Sequence, residues 1–157
     1  MIKIKLTDTE VEICYMIGTI RHLRTKSLCS EQIQSNKNPL QISIDGVLSE
    51  YAVSKHKGWH FDLNCDVRKF GADFEVGGRK FDVKSSRKIG GAMNIRYTHK
   101  DKDYDYYILV EIDAHDDCYL IGYCAHEVAT HDAYTLTSQI TGQPYFAIPQ
   151  NQLMPIN

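Results

Sequence analysis

The chain has 157 residues, 43% of them hydrophobic and 24% charged, with a formal net charge of −2 at pH 7. That length predicts one domain with a real core, built from ordinary globular material. The near-neutral balance argues against a general polyelectrolyte binder, and no apolar run approaches membrane-spanning length, so no membrane partner is expected.

Residues 2–6 alternate like a short strand. Thr7 or Asp8 can cap a helix over about 8–25, with Ile13, Met16, Ile17, Ile20 and Leu23 as its apolar stripe. Gly18 interrupts that pattern. Arg21, Arg24 and Lys26 crowd the last turn, where cations suit the helix dipole. The polar stretch 27–42, which holds Pro39, reads as a loop. Ser43 or Asp45 then caps a second helix over about 46–57. Val47, Leu48, Tyr51 and Ala52 face inward there, Glu50 sits at the border of the stripe, and Gly58 ends the helix.

Residues 59–65 read as an irregular or short extended segment. Two hairpin strands follow, about 70–76 and 79–86, then a flexible turn at Gly90-Gly91 and a short strand at 93–98. Residues 106–112 carry few polar breaks and predict the central strand of a sheet. Residues 114–117 turn, 118–124 return as a strand, and 126–131 form a short helix. The tail, 132–157, holds Pro144, Pro149 and Pro155 and reads as loop. This order predicts an α/β (α+β) fold: a single domain over 1–157 with a central mixed β-sheet flanked by helices. Its core spans about 43–125, with the helix 8–25 and the tail as additions.

The five cysteines are odd in number and form no Cys-x-x-Cys pair. A disulfide framework is not expected, and a reducing cytoplasm fits. The N-terminus shows no signal-peptide core, which points the same way.

The most informative stretch runs from Gly71 to Ser86. Gly77-Gly78 between two alternating runs predicts a two-residue hairpin turn. The register then sets Val76 against Arg79, Glu75 against Lys80, Phe74 against Phe81 and Asp73 against Asp82. Phe74, Val76, Phe81 and Val83 share one face, and Asp73, Glu75, Lys80, Asp82 and Lys84 the other. Two facing carboxylates repel, and a divalent cation between them removes the repulsion. With Lys84 at the edge, the set suits phosphodiester hydrolysis. Glu75 and Lys80 read as a plain cross-strand ion pair. From Arg79 to Lys102 there are eight Lys/Arg, opposed only by Asp82 and Asp101. Of these, Arg87, Lys88, Arg96, Lys100 and Lys102 are candidates to hold a nucleic-acid backbone. Trp59, Tyr97 and Tyr104 are weaker candidates for base stacking, with core packing the more ordinary role.

Asp73, then Asp82-Val83-Lys84, with Glu50 on a preceding helix, resembles the PD-(D/E)XK nuclease superfamily. The resemblance covers about residues 45–125. It departs from the motif at Ala72, where a proline often stands. It implies a restriction-endonuclease-like fold and a Mg²⁺-dependent deoxyribonuclease, with Mn²⁺ as a substitute. Asp73, Asp82 and the backbone carbonyl of Val83 would hold the cation, and Glu50 would bind a second metal directly or through water. Lys84 would orient the attacking water or stabilise developing charge. The implied partner is DNA, and since many such minimal nucleases dimerise to cut two strands, a homodimer is an option. A phage or virus origin would also fit.

Two other functions stay open at this point: a nucleic-acid-binding module of the same fold without chemistry, and an interaction domain that offers its acidic hairpin face to a basic partner. Zinc is not expected, because His126 and His131 are five apart and no cysteine pair has ligand spacing. Cys118 and Cys124 fall in an apolar strand and read as core.

Overall fold

A computed structural model describes residues 1–28, 38–66 and 71–156. The chain opens with β1 (Ile2–Ile4) and α1 (Asp8–Leu28). Thr7 and Glu10 close a capping box at the start of α1: the Thr7 N–H donates to Glu10 Oε2 at 2.7 Å, and the Glu10 N–H donates to Thr7 Oγ at 3.3 Å.

The second helix, α2 (Pro39–Lys57), starts well before the expected residue 46. Asn38 is the cap, accepting the Leu40 N–H at 3.0 Å, and Pro39 takes the first helical position, where its missing N–H costs nothing. Pro39 therefore starts the helix, and neither Ser43 nor Asp45 caps it. The rest of the predicted 27–42 loop falls on the end of α1 and on residues outside the described set. Gly58 ends α2 in the left-handed conformation, as its position predicts.

The hairpin is β2 (Phe74–Val76) and β3 (Arg79–Ser86). Its register is Phe74↔Phe81, Glu75↔Lys80 and Val76↔Arg79, as the turn dictates. Gly77 and Gly78 have φ of 57° and 71°, the two positive angles that a type I′ turn demands. Then come β4 (Met93–Arg96), a 3-10 turn (Tyr97–Asp101), β5 (Tyr106–Ile112), β6 (Cys118–Ala125) and α3 (His126–Ala129). The tail is not a loop. It contributes β7 (Thr135–Thr137) and β8 (Pro144–Ile148), and Pro144 is tolerated because it is the first residue of its strand.

A five-stranded sheet has the order β1-β6-β5-β3-β2, and a three-stranded sheet the order β4-β8-β7. In the large sheet β3 and β5 are parallel and the other pairs antiparallel, so it is mixed, with β5 at its centre. Period-2 alternation divides its side chains. Phe81, Val83, Ile108, Val110 and Leu120 face α1 and α2 and pack with Cys14, Ile17, Val47, Leu48 and Val53. Tyr107, Leu109 and Cys124 face the other way and pack on Met93, Ile95, Phe146 and Ile148 of the small sheet. The tail thus completes a second core and is no appendage. Asp82 and Lys84 project toward this second side.

The predicted stripe of α1 is out of phase with the packing. Of its five residues only Ile17 is buried, while Ile13, Met16, Ile20 and Leu23 are exposed. The inward face is Cys14, Ile17 and Gly18. Gly18 sets that phase: a Cβ there would stand 2.7 Å from the Ile44 Cα, so only glycine lets α1 and α2 approach this closely.

Candidate functional site

Asp73 lies one residue before β2, where the ladder stops. Its N–H donates to the Phe81 carbonyl at 2.9 Å, and its Oδ2 accepts the Val83 N–H at 2.7 Å. The side chain thereby takes over from the strand as partner to β3. The N–H and C=O of one residue point to the same side of an extended strand, so the Val83 carbonyl also lies on the Asp73 side.

Asp82 is buried, at 6% exposure, and Lys84 Nζ is its ion-pair partner. The Oδ2 that meets Lys84 has no aligned hydrogen bond. Burial pushes the Asp82 carboxyl above the usual carboxylate range, and Lys84 pulls it partly back. Asp73 is pushed up to about 8, by burial first, then by the negative charges of Glu50 and Asp82. The Val83 N–H and Lys84 only partly offset this. Three carboxylates therefore share one neighbourhood, held by α2, the start of β2 and β3.

Glu50 is not the free surface acid of an exposed helix. It is half-buried on α2 and accepts a hydrogen bond from Arg21 Nη1 at 2.8 Å. Arg21 also donates to the Asp62 and Asn64 carbonyls at 2.9 and 3.3 Å, which ties α1 to the rim of the site.

The surroundings of Lys84 include Tyr107 and His99, which the sequence reading did not single out, beside Tyr104 and His126, which it considered for other roles. In the β3–β5 register Asp82 stands beside Tyr107, and the Lys84 ammonium lies 5.8 Å from the Tyr107 ring centroid. The Tyr107 hydroxyl meets His126 Nδ1 at 3.2 Å. Tyr104 and His99 complete the wall, their ring centroids 5.5 Å apart. Burial pushes the Tyr104 phenol up to about 12, and the charges of Asp82 and Asp73 add to the effect. His99 is held down to about 3, by burial first and then by the positive charges of Lys84, Arg96, Lys102 and His126. Its Nδ1 is buried without a hydrogen-bond partner. The parallel register of β5 against β3 is the signal that would have placed Tyr107 here. Nothing local in the sequence points to His99.

The proposed backbone-gripping cations divide. Arg87 is engaged within the fold. It donates to Asp45 from Nε and Nη2, to Asp116 Oδ1 at 2.7 Å and to the Asp113 carbonyl at 2.9 Å. With four of the five N–H groups of a guanidinium committed, Arg87 is a clamp joining β3 to α2 and to the β5–β6 turn. Lys100 pairs with Asp132 at 2.7 Å and lies over the Tyr97 ring. Lys88 is exposed just past β3. Arg96 and Lys102 flank the 3-10 turn, close enough to act on Asp82 and His99 respectively. Lys80 faces Glu75 in the register, yet its ion-pair partner is Asp103. Trp59 packs on Phe74 and Phe81, and Tyr97 stacks on Phe146, so both serve cores.

Among the described residues, no group of three or more His, Cys, Asp or Glu side chains is arranged to enclose a metal ion. Asp73 and Asp82 with the Val83 carbonyl are an all-oxygen set of the kind that suits Mg²⁺, which needs only one or two carboxylates and keeps several waters. The raised Asp73 carboxyl fits a place where positive charge is wanted. Among the described residues no helix is long and apolar enough to cross a membrane. Compared with protein-family models and with curated proteins, the chain matches none of them.

Proposed function

We propose that this protein is a Mg²⁺-dependent deoxyribonuclease of the PD-(D/E)XK type. The observation that carries the reading is the crowding of Glu50, Asp73 and Asp82 at one end of the hairpin. Burial first, and then the charges of Glu50 and Asp82, push Asp73 up to about 8, with Lys84 paired to Asp82 beside it. A fold gains nothing structural from burying carboxylates against one another.

Asp73 and Asp82 would hold the cation, with the Val83 carbonyl beside them. When bound, Mg²⁺ supplies a polarised phosphate and a water of lowered pKa. The chain's own residues do the rest. The Val83 N–H fixes the Asp73 carboxylate. Lys84, braced between Asp82 and the Tyr107 ring, carries the positive charge that offsets negative charge developing on the phosphate. Arg21 holds Glu50 in place, close enough to act on Asp73, where it would serve a second metal directly or through water. In hydrolysis water adds to phosphorus, the P–O bond to the leaving sugar oxygen breaks, and that oxygen takes up a proton. Lys88, exposed just past β3, would meet the DNA backbone, with Arg96 and Lys102 beside the 3-10 turn adding positive charge to that side, while Arg87 is engaged within the fold.

The second reading, a nucleic-acid-binding module without chemistry, draws on the Lys84–Asp82 ion pair, which neutralises the site from within. Incubating plasmid, linear duplex and single-stranded DNA with Mg²⁺, wild type beside Asp82→Ala, separates the two. Cleavage by wild type alone supports the nuclease. Equal DNA affinity with no product from either protein supports the module.

A further inference from the structure

The C-terminal end of α2 leaves a cavity of about 360 Å³ over the helix-covered face of the large sheet. Val53 and Lys57 lie one turn apart on the same side of α2, and both line it. Val53 is fully buried and continues the core. At the next turn an apolar side chain would carry that layer on, but a half-buried lysine stands there. Gly58 then ends the helix, so no further turn covers the sheet. Interiors are close-packed, and a space of this size kept open beside a core is the usual form of a small-ligand site.

The walls are aromatic. Between ring centroids, Trp59 lies 4.7 Å from Phe81, Phe81 stacks on Tyr106 at 5.4 Å, and Tyr106 meets Tyr123 edge-on at 5.8 Å. All four rings are half-buried. They carry three donors, the Trp59 indole N–H and the Tyr106 and Tyr123 hydroxyls. None of these has a hydrogen-bond partner among the described residues, and none is sealed from solvent. Lys57 adds a positive charge, and no Asp or Glu is among the lining residues.

This lining selects its ligand. Rings at such spacings accept a flat π system. The donors and the lysine call for acceptor atoms and negative charge, which an aliphatic ligand leaves unanswered. We propose that the cavity binds a planar aromatic anion, stacked among Trp59, Phe81 and Tyr106 and charge-paired with Lys57. Mononucleotides and small aromatic carboxylic acids share that chemistry. Phe81 and Asp82 alternate along β3, so the cavity lies on the opposite side of the sheet from the Asp82 carboxylate. The proposal does not depend on hydrolysis at Asp73 and Asp82.

Trp59 is the only tryptophan in the chain, so its fluorescence reports the cavity directly. The test titrates dAMP and benzoate into the whole chain without metal, beside their neutral counterparts deoxyadenosine and benzamide. At least one of the two anions changes the emission saturably, with a dissociation constant on the order of 100 µM. The tighter of the two identifies the source. Its neutral counterpart binds about tenfold more weakly, and Lys57→Gln removes that preference. Lys57→Phe continues the apolar layer into the cavity, so it abolishes the response without lowering the melting temperature. The proposal is overturned if neither anion gives a saturable response up to about 10 mM. It is equally overturned if the neutral counterpart binds as tightly, if Lys57→Gln keeps the preference, or if a folded Lys57→Phe binds like wild type.

Discussion

The Asp73 carboxylate takes the backbone N–H of Val83 at 2.7 Å, at the point where β2 ceases to pair with β3. This bond favours the ionised acid, yet burial and the charges of Glu50 and Asp82 outweigh it and leave Asp73 near 8. An unfolded aspartate titrates near 3.9, so from there to about 8 the folded chain holds a proton that the unfolded chain has released. The stabilising contribution is full below the unfolded value and is lost as pH rises through about 8.

The metal-free protein should therefore lose stability as pH is raised from about 6.5 to about 8.5. Asp73→Asn, which keeps an acceptor for Val83, should flatten that slope and raise the melting temperature at the alkaline end. Thermal melts at a series of pH values check this. An unchanged slope in Asp73→Asn would mean that the acid is ionised in the folded chain.

His99 should produce the opposite limb. Its folded value near 3 lies below the ordinary imidazole range, so the unfolded chain takes up a proton that the folded chain refuses. The His99 contribution should fall as pH drops below about 6.5, against the opposite trend from Asp73, so His99→Phe should be the more stable of the two proteins relative to its pH 7 value as pH is lowered. The comparison to make is the difference in melting temperature between pH 7 and pH 5 for the two proteins. Equal differences would remove His99 as a cause.

Arg87→Met should destabilise the fold by about 2–4 kcal/mol, because it strands Asp45, which is 4% exposed, without its ion-pair partner. Lys88→Met, on an exposed side chain, should stay within about 0.5 kcal/mol. Urea unfolding of both variants reads these values. The sequence showed two adjacent cations, and only the structure separates them.

Much of the fold is legible in the chain because its signals are local. Gly77-Gly78 sets the hairpin register whatever surrounds it, and the apolar run 106–112 can only be a central strand. The misreadings have non-local causes. Pro39 looks like a breaker until Asn38 is seen capping the helix it begins. The α1 stripe follows the hydrophobic residues, whereas the packing follows Gly18, the one position that admits Ile44. The tail's prolines hid β7 and β8, and β8 pairs with β4, some fifty residues earlier. At the site, Asp82 and Lys84 follow from the register, whereas the expected pairing of Asp73 with Asp82 is not part of the ladder: Asp73 lies just before β2 and reaches β3 through its carboxylate. Arg21 and His99 arrive from other elements, and spacing carries no trace of them.

Lys84→Ala should separate chemistry from binding. Turnover should fall by roughly two orders of magnitude or more, since its charge is assigned to the transition state. DNA affinity measured in Ca²⁺, where no cleavage is expected, should change only modestly. A Lys84→Ala protein that cuts at the wild-type rate on saturating DNA would remove the lysine from the mechanism.

The central claim, that Asp73 and Asp82 hold a cation for phosphodiester hydrolysis, is tested most directly by cleavage of labelled duplex DNA under chelation and add-back. Wild type should cut in Mg²⁺, stop in excess chelator and recover when Mg²⁺ or Mn²⁺ is restored. Asp82→Ala, folded by its melt, should cut under none of these conditions. Cleavage that persists in chelator, or that Asp82→Ala retains, would contradict the account.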